Sequence, residues 1–401
     1  MRPLIPAIQA IIGRVAYGSP RSNYRGPIGK LAALPLFLPI ALLPFVGGLL
    51  MCVVALVVDP YDVRPWGMAP RNAEGVYPQD ETPNLIKAFS SEQHEAIMFG
   101  GSTSMPFPSR LIADTLNYKR VANLSYSLPT PRDTGPVLRQ LVRTPGLRRL
   151  LIDVDHSQMR NDGATFVTGR TALSVLNARW FDMPDFKTPT VQASIHRIID
   201  GTYDSPEWRS LRSNSADTQS LIDKPDLLMT LDDAVSRPAP DIFTAPRTLP
   251  PCDSFTFIRD VLLPVGREAQ VQGVTVDIFF PPMPYQTYWN WQKNDVFFGS
   301  WGNGARYLQL VHFHQCIFRA VVVAKLSAVR VNATDLDTAI ASHLENYRDS
   351  VHLIRSDAMA RLLRDIDSGR FRLTIDNVDR YPGEMAARVR SVAGWRAPGQ
   401  G

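Results

Sequence analysis

Hydrophobic and polar positions divide the chain into regimes. From Leu31 to Val58, 28 residues run without a charged side chain. Polar, Pro-rich sequence follows from 59 to 94 and reads as an extended linker. From residue 95 short apolar runs alternate with segments of helical spacing. "EAIMFG" predicts a buried strand, "PSRLIADTLN" a helix opened by Pro108, and "RVANLSYS" a second strand. "PRDTGPVLRQLVRT" predicts a helix and "RRLLIDVD" a third strand. Strand and helix in alternation are the mark of a parallel sheet covered by helices.

Between 162 and 251 the pattern weakens, as expected of an insertion or cap. Regularity returns with an amphipathic helix over 255–273 and a β-branched strand, "VTVDIFFPP". A long apolar helix is predicted over 305–329, then a last helix, "MARLLRDIDSG". The expected organisation is an N-terminal segment 1–30, an apolar span 31–58, a linker 59–94, a domain 95–390 with its insertion, and a flexible tail 391–401. The expected fold class is α/β, a flavodoxin-like three-layer parallel sheet.

The 28-residue run exceeds the ~20 residues that cross a bilayer as a helix. It is longer than the roughly 7–15 apolar residues of a signal peptide. Pro35, Pro39 and Pro44 are tolerated in a membrane helix. Charge orients the span. Arg2, Arg14, Arg21, Arg25 and Lys30 precede it with no acidic residue, and the whole chain carries +5, so residues 59–401 balance to zero. The basic excess is therefore a positive-inside signal, not a nucleic-acid surface. It predicts a cytoplasmic N-terminus, a single pass through a bacterial inner membrane, and a periplasmic main domain. Cys52 lies in the span, where Met51 fits poorly to a lipoprotein cleavage site. Cys252 and Cys316 pair in an oxidising compartment or remain buried thiols; the sequence leaves both open.

Ser102 stands where the first strand ends, after Gly100 and Gly101. The carboxyl ends of parallel strands are where such sheets bind ligands. Glycines allow a sharp turn and close approach, and the next helix aims free N–H groups at the same spot. A hydroxyl there can attack a carbonyl; equally, Ser102, Thr103 and Ser104 can simply cap the helix. Of seven histidines, His352 stands out in "DSVH", three residues after Asp349. His312 and His314 are two apart on a helix, the wrong spacing for a metal pair. No metal or other cofactor is expected.

"FGGSTS" early and "DSVH" late resemble the blocks of SGNH hydrolases. The resemblance implies Ser102 as nucleophile, His352 as base and Asp349 as its orienter. The layout of short N-terminus, one span, "DPY" just beyond it and the late strand ending in Pro is similar to membrane-anchored SGNH-like proteins of envelope polysaccharide systems. Among these are the alginate and cellulose acetylation proteins and the D-alanyl transfer protein of teichoic acid. What this implies is an acyl esterase or O-acetyltransferase with an exopolysaccharide substrate, working with a multi-span acyltransferase or a polysaccharide synthase complex. The family's Asp before the serine is Gly101 here, and its oxyanion blocks are not recognisable. Gly101, Ser127 and Asn161 are the candidate oxyanion residues, with Ser125 nearby. That departure keeps open a catalytically degenerate domain that binds polysaccharide or scaffolds a synthesis complex.

Aromatics crowd the loop after the late strand. Tyr288, Trp289, Trp291 and Trp301 suit the apolar faces of sugar rings, or else pin the loop to the body. The charged residues of "LRQLVRTPGLRRL" and "DNVDRYPGEMAARVR" are expected on solvated faces.

Overall fold

A computed structural model describes residues 34–58, 94–125, 131–156, 158–159, 195, 198–199, 220–236, 249–291 and 306–395. Helix α1, Leu34–Val58, is a 25-residue helix without a charged side chain. Its side chains are described only at 43, 45–54, 57 and 58. No helix among the described residues is long and apolar enough to cross a membrane. At 1.5 Å per residue the α1 backbone runs about 37 Å. Most of α1 belongs to a compact unit separate from the α/β body.

The body is built on five parallel strands: β1 (Ala96–Phe99), β2 (Val121–Asn123), β3 (Arg149–Asp153), β4 (Thr275–Phe279) and β5 (Val329–Asn332). Their order is β2-β1-β3-β4-β5. Nearly every strand residue is buried, as in a sheet covered on both faces. Ile97, Phe99, Leu150, Ile152, Val276 and Ile278 share one core with helices α3 (Pro131–Val142), α5 (Leu263–Gln272), α7 (Arg306–Val323) and α10 (Tyr381–Arg390). Met98, Leu151 and Phe279 face a second core with α2 (Ser109–Leu116), α4 (Pro225–Ser236) and α9 (Ser356–Ser368). The period of two along each strand sends alternate residues to opposite cores. Two short helices, α6 (Tyr285–Asn290) and α8 (Thr338–Ala341), complete the body.

Local chemistry sets the element ends. Pro108 precedes α2 in extended conformation and Asn117 closes it at φ 57°. Gly369 ends α9 at φ 71°, a left-handed position that favours glycine. A π-helical turn, Phe257–Leu262, leads into α5.

The long helix expected over 305–329 stops at Val323, and Val329–Asn332 is the fifth strand. The intervening turn uses Lys325 at φ 51° instead of glycine or proline, so nothing in the residue types announces it. The stretch near 380 forms α10, which buries Tyr381, Met385 and Val389, while Asp379, Arg380, Glu384 and Arg390 face solvent as expected. Arg149, also expected in solvent, is buried. Inside the expected insertion, Leu221, Leu228 and Leu231 belong to the second core. Val392 and Trp395 pack against the body, while 396–401 lie outside the described residues. Cys252 and Cys316 form a disulfide, Cα–Cα 5.1 Å, tying the turn before the π-helical segment to α7.

Candidate active site

β1 delivers Ser102 to the carboxyl edge of the sheet. The turn after β1 is held from both sides. From β2, the Asn123 amide donates to the carbonyl oxygens of Ser104 and Phe107, each at 2.8 Å. Ser104 Oγ donates to Ser125 Oγ at 2.9 Å. From β3, Asp153 is wrapped by the turn. Thr103 Oγ1 donates to its Oδ2 at 2.5 Å and lies 3.3 Å from Asp155 Oδ2, while the Gly101 amide and the Ser104 hydroxyl also reach Asp153.

The two glycines serve this close approach. A Cβ on Gly100 would sit 2.3 Å from Asp153 Cβ, and one on Gly101 would sit 2.5 Å from Asp155 Oδ2. Neither is among the glycines with positive φ. Space, not backbone freedom, requires them. Burial, and then the like charge of Asp155, push Asp153 up to about 8, against the hydroxyl and amide donors that favour its charged form. Asp153 Oδ1 has no partner among the described residues. Thr103 is thus spent on Asp153, and Ser104 on Ser125. Ser102, only partly buried, makes no hydrogen bond among the described residues.

The second half of the site is the loop before α9. His352 Nδ1 lies 2.8 Å from both Asp349 oxygens. The Val351 and His352 amides donate to Asp349 Oδ1 at 3.0 Å, and Arg348 Nε donates to Oδ2 at 3.3 Å. Burial pushes Asp349 up, but the His352 bond and charge and the two amides outweigh it and hold the carboxyl well below its usual range. With Nδ1–H directed at Asp349, Nε2 of His352 is left as the proton acceptor.

This loop sits at the carboxyl end of β4. Thr287 Oγ1, on α6, donates to the Ser350 carbonyl at 2.7 Å, and Tyr347 OH donates to the Pro282 carbonyl at 3.2 Å. From the expected insertion, Lys224 Nζ donates to the Arg348 carbonyl at 3.0 Å. Ser102 and the Asp349–His352 pair therefore share one edge of the sheet, with the end of β3 between them. They form no hydrogen bond with each other.

Of the other candidate residues, Ser127, Asn161 and Trp301 lie outside the described residues. The Gly101 amide lies close enough to Asp153 to favour its charged form. Tyr288, Trp289 and Trp291 are buried members of the first core. Trp291 meets His156 edge-on at 4.9 Å, and Tyr288 meets Trp291 and Tyr307. Their faces are spent on packing, so they pin the loop and offer no open surface to a sugar.

Residue-by-residue reading passed over Asp153 and Asp155. The alternation in "DVD" at a strand end was their signal, since it puts both on the face and edge that the serine turn must cross. A further buried pair, His314 Nδ1 and Asp335 Oδ2 at 3.5 Å, is bridged by Tyr381 OH; burial lowers the His314 pKa, and its ring stacks on Phe280 at 3.6 Å. Its complete burial fits a structural role. Cys252, His312 and Cys316 bring three potential metal-ligand atoms within 4.8 Å, but the disulfide withdraws both thiolates.

No family model matches the chain, and no curated protein matches its sequence.

Proposed function

We propose that the chain is a membrane-tethered, periplasmic SGNH-like acyl esterase or O-acyltransferase acting on an exported polysaccharide. The observation that carries the reading is the Asp349–His352 pair on the same sheet edge as the Ser102 turn, with His352 Nε2 left to accept a proton. The strand order agrees with a flavodoxin-like sheet of the SGNH type. The uncharged 25-residue α1 and the basic residues before it support a single span with a cytoplasmic N-terminus. The disulfide agrees with an oxidising compartment.

In this mechanism Ser102 Oγ attacks the acyl carbonyl while His352 takes its proton. The alcohol leaves carrying that proton, and an acyl-serine remains. Water then accepts the acyl group in an esterase, or a sugar hydroxyl accepts it in a transferase. A transferase requires an acyl donor delivered across the membrane, which fits a partner multi-span acyltransferase or a synthase complex.

One observation favours a second reading, a catalytically silent domain that binds polysaccharide or scaffolds such a complex. Two carboxylates, Asp153 and Asp155, lie beside the serine turn, where a developing oxyanion needs donors. Hydrolysis of p-nitrophenyl acetate by the full chain in detergent decides between them. The enzyme reading expects Ser102→Ala and His352→Ala each to lose at least roughly 10³-fold. Equal rates in all three proteins would leave only the scaffold.

A further inference from the structure

Away from the serine edge, the amino-terminal half of the sheet carries a concentration of charge beneath α9. Asp277, in the middle of β4, is wholly buried. It accepts Arg149 Nε at 2.8 Å, Arg330 Nε at 2.7 Å, a second bond from Arg330 Nη2, and the Asn332 amide at 3.3 Å. Arg149 Nη1 donates to Asp367 at 2.6 Å. Arg372 joins the group from the segment that bridges to Asn332 at the edge of β5, its guanidinium lying along Gly369.

Three guanidiniums thus stand over two carboxylates. Arg149 is 4% exposed, yet its Nη2 is buried without a partner, and so is Nε of Arg372. Arg372 forms no ion pair among the described residues. Unmatched buried donors in a native fold call for an unseen water or ion. The surplus positive charge beside these donors favours an anion over water.

We propose that Arg149, Arg330 and Arg372 form a binding site for a small oxyanion of the phosphate class. Guanidiniums present paired N–H donors that match two oxygens of one phosphate. Asp277 holds Arg149 and Arg330, Asp367 holds Arg149, and the unpaired Nη2 of Arg149 and Nε of Arg372 supply the donors. Arg330 and Arg372 are only partly buried, so the anion enters from the edge of β5. Burial, followed by repulsion from Arg330 and Arg149, lowers the pKa of Arg372, the strain that a bound anion would relieve. The site does not depend on the proposed acyl chemistry.

Thermal unfolding of the full chain in detergent tests this, comparing sodium phosphate with sodium chloride at equal ionic strength. Ligand that binds only the folded state raises the melting temperature in proportion to its occupancy. The expected result is a rise with phosphate, and with sulfate, that chloride does not give. Titration calorimetry with inorganic phosphate should show at least a tenfold weaker affinity in Arg372→Gln and an intermediate loss in Arg372→Lys. Both variants should melt like the parent in chloride, which reports that they fold. If glycerol 3-phosphate binds more tightly than inorganic phosphate, the ligand is a phosphate ester; the reverse order assigns the free anion. Indistinguishable melting in phosphate and chloride, or unchanged phosphate affinity in Arg372→Gln, would overturn the proposal.

Discussion

Asp153 and Asp349 lie at the same edge of one sheet, the first wholly buried and the second partly exposed, and their chemistry diverges. Asp349 has an imidazole against both oxygens and two amides on one of them. Asp153 has a hydroxyl, a backbone amide and, on the far side, another carboxylate. The first is held ionised below its ordinary range, and the second is pushed up to about 8. Burial opposes charge in both, so the partners decide. A positive or polarised donor set stabilises the anion, and a neighbouring carboxylate favours the proton. Two aspartates on one edge thereby differ in what they hold: one an imidazole, the other a turn.

The largest expected effect breaks the pair by function. Asp349→Ala should lower ester hydrolysis by roughly 10²-fold or more, because His352 loses its orientation. Asp153→Asn, which keeps the shape and the contacts to the turn, should stay within about threefold of the parent. Steady-state kinetics of both variants check this, and an equal loss in the two would erase the distinction. Next, Gly101→Ala forces a methyl group against Asp155 Oδ2. It should cost about 1–3 kcal/mol in chemical denaturation, the range for overpacking. No loss would mean that the carboxylates do not crowd the turn.

A pH series sharpens the comparison, and the signs are opposite. The folded state holds the Asp153 proton up to about 8, whereas the unfolded chain releases it near the ordinary 3.8. The folded state binds more protons in that window, so this group makes stability fall as pH rises through it. For Asp349 the folded pKa lies below 3.8. Its contribution is present above that value and fades as pH drops through the folded pKa. Denaturation midpoints from pH 3 to 9 should show Asp153→Asn flattening the upper decline, and Asp349→Asn losing stability chiefly above pH 4. The smallest effect belongs to Arg348→Gln. Its 3.3 Å contact with Asp349 is partly exposed, so denaturation should register a loss of about 1 kcal/mol or less.

Much of the scaffold could be read from residue periodicity. β1, β3 and β4 are apolar enough to be buried on both faces, and α2, α3 and α9 carry their apolar residues at helical spacing. β5 was hidden because "VRVN" is short and follows α7 through a turn built on Lys325. The Asp349–His352 contact was legible because its three-residue spacing has local meaning. The Asp349–His352 bond spans three residues and needs only one turn of chain.

What the sequence alone determined is therefore what neighbouring residues decide: the uncharged 28-residue segment with its basic flank, the alternation of strands and helices, and the aspartate-histidine pair. Tertiary structure decided what depends on strand neighbours and register. It set Asp153 and Asp155 against the glycine turn some 50 residues away. It brought Arg149 to Asp277 across 128 positions. It also turned Tyr288, Trp289 and Trp291 into the core. The physical reason is the same in each case. A charge or an aromatic face takes its role from what lies across the sheet, and only the folded register specifies what that is.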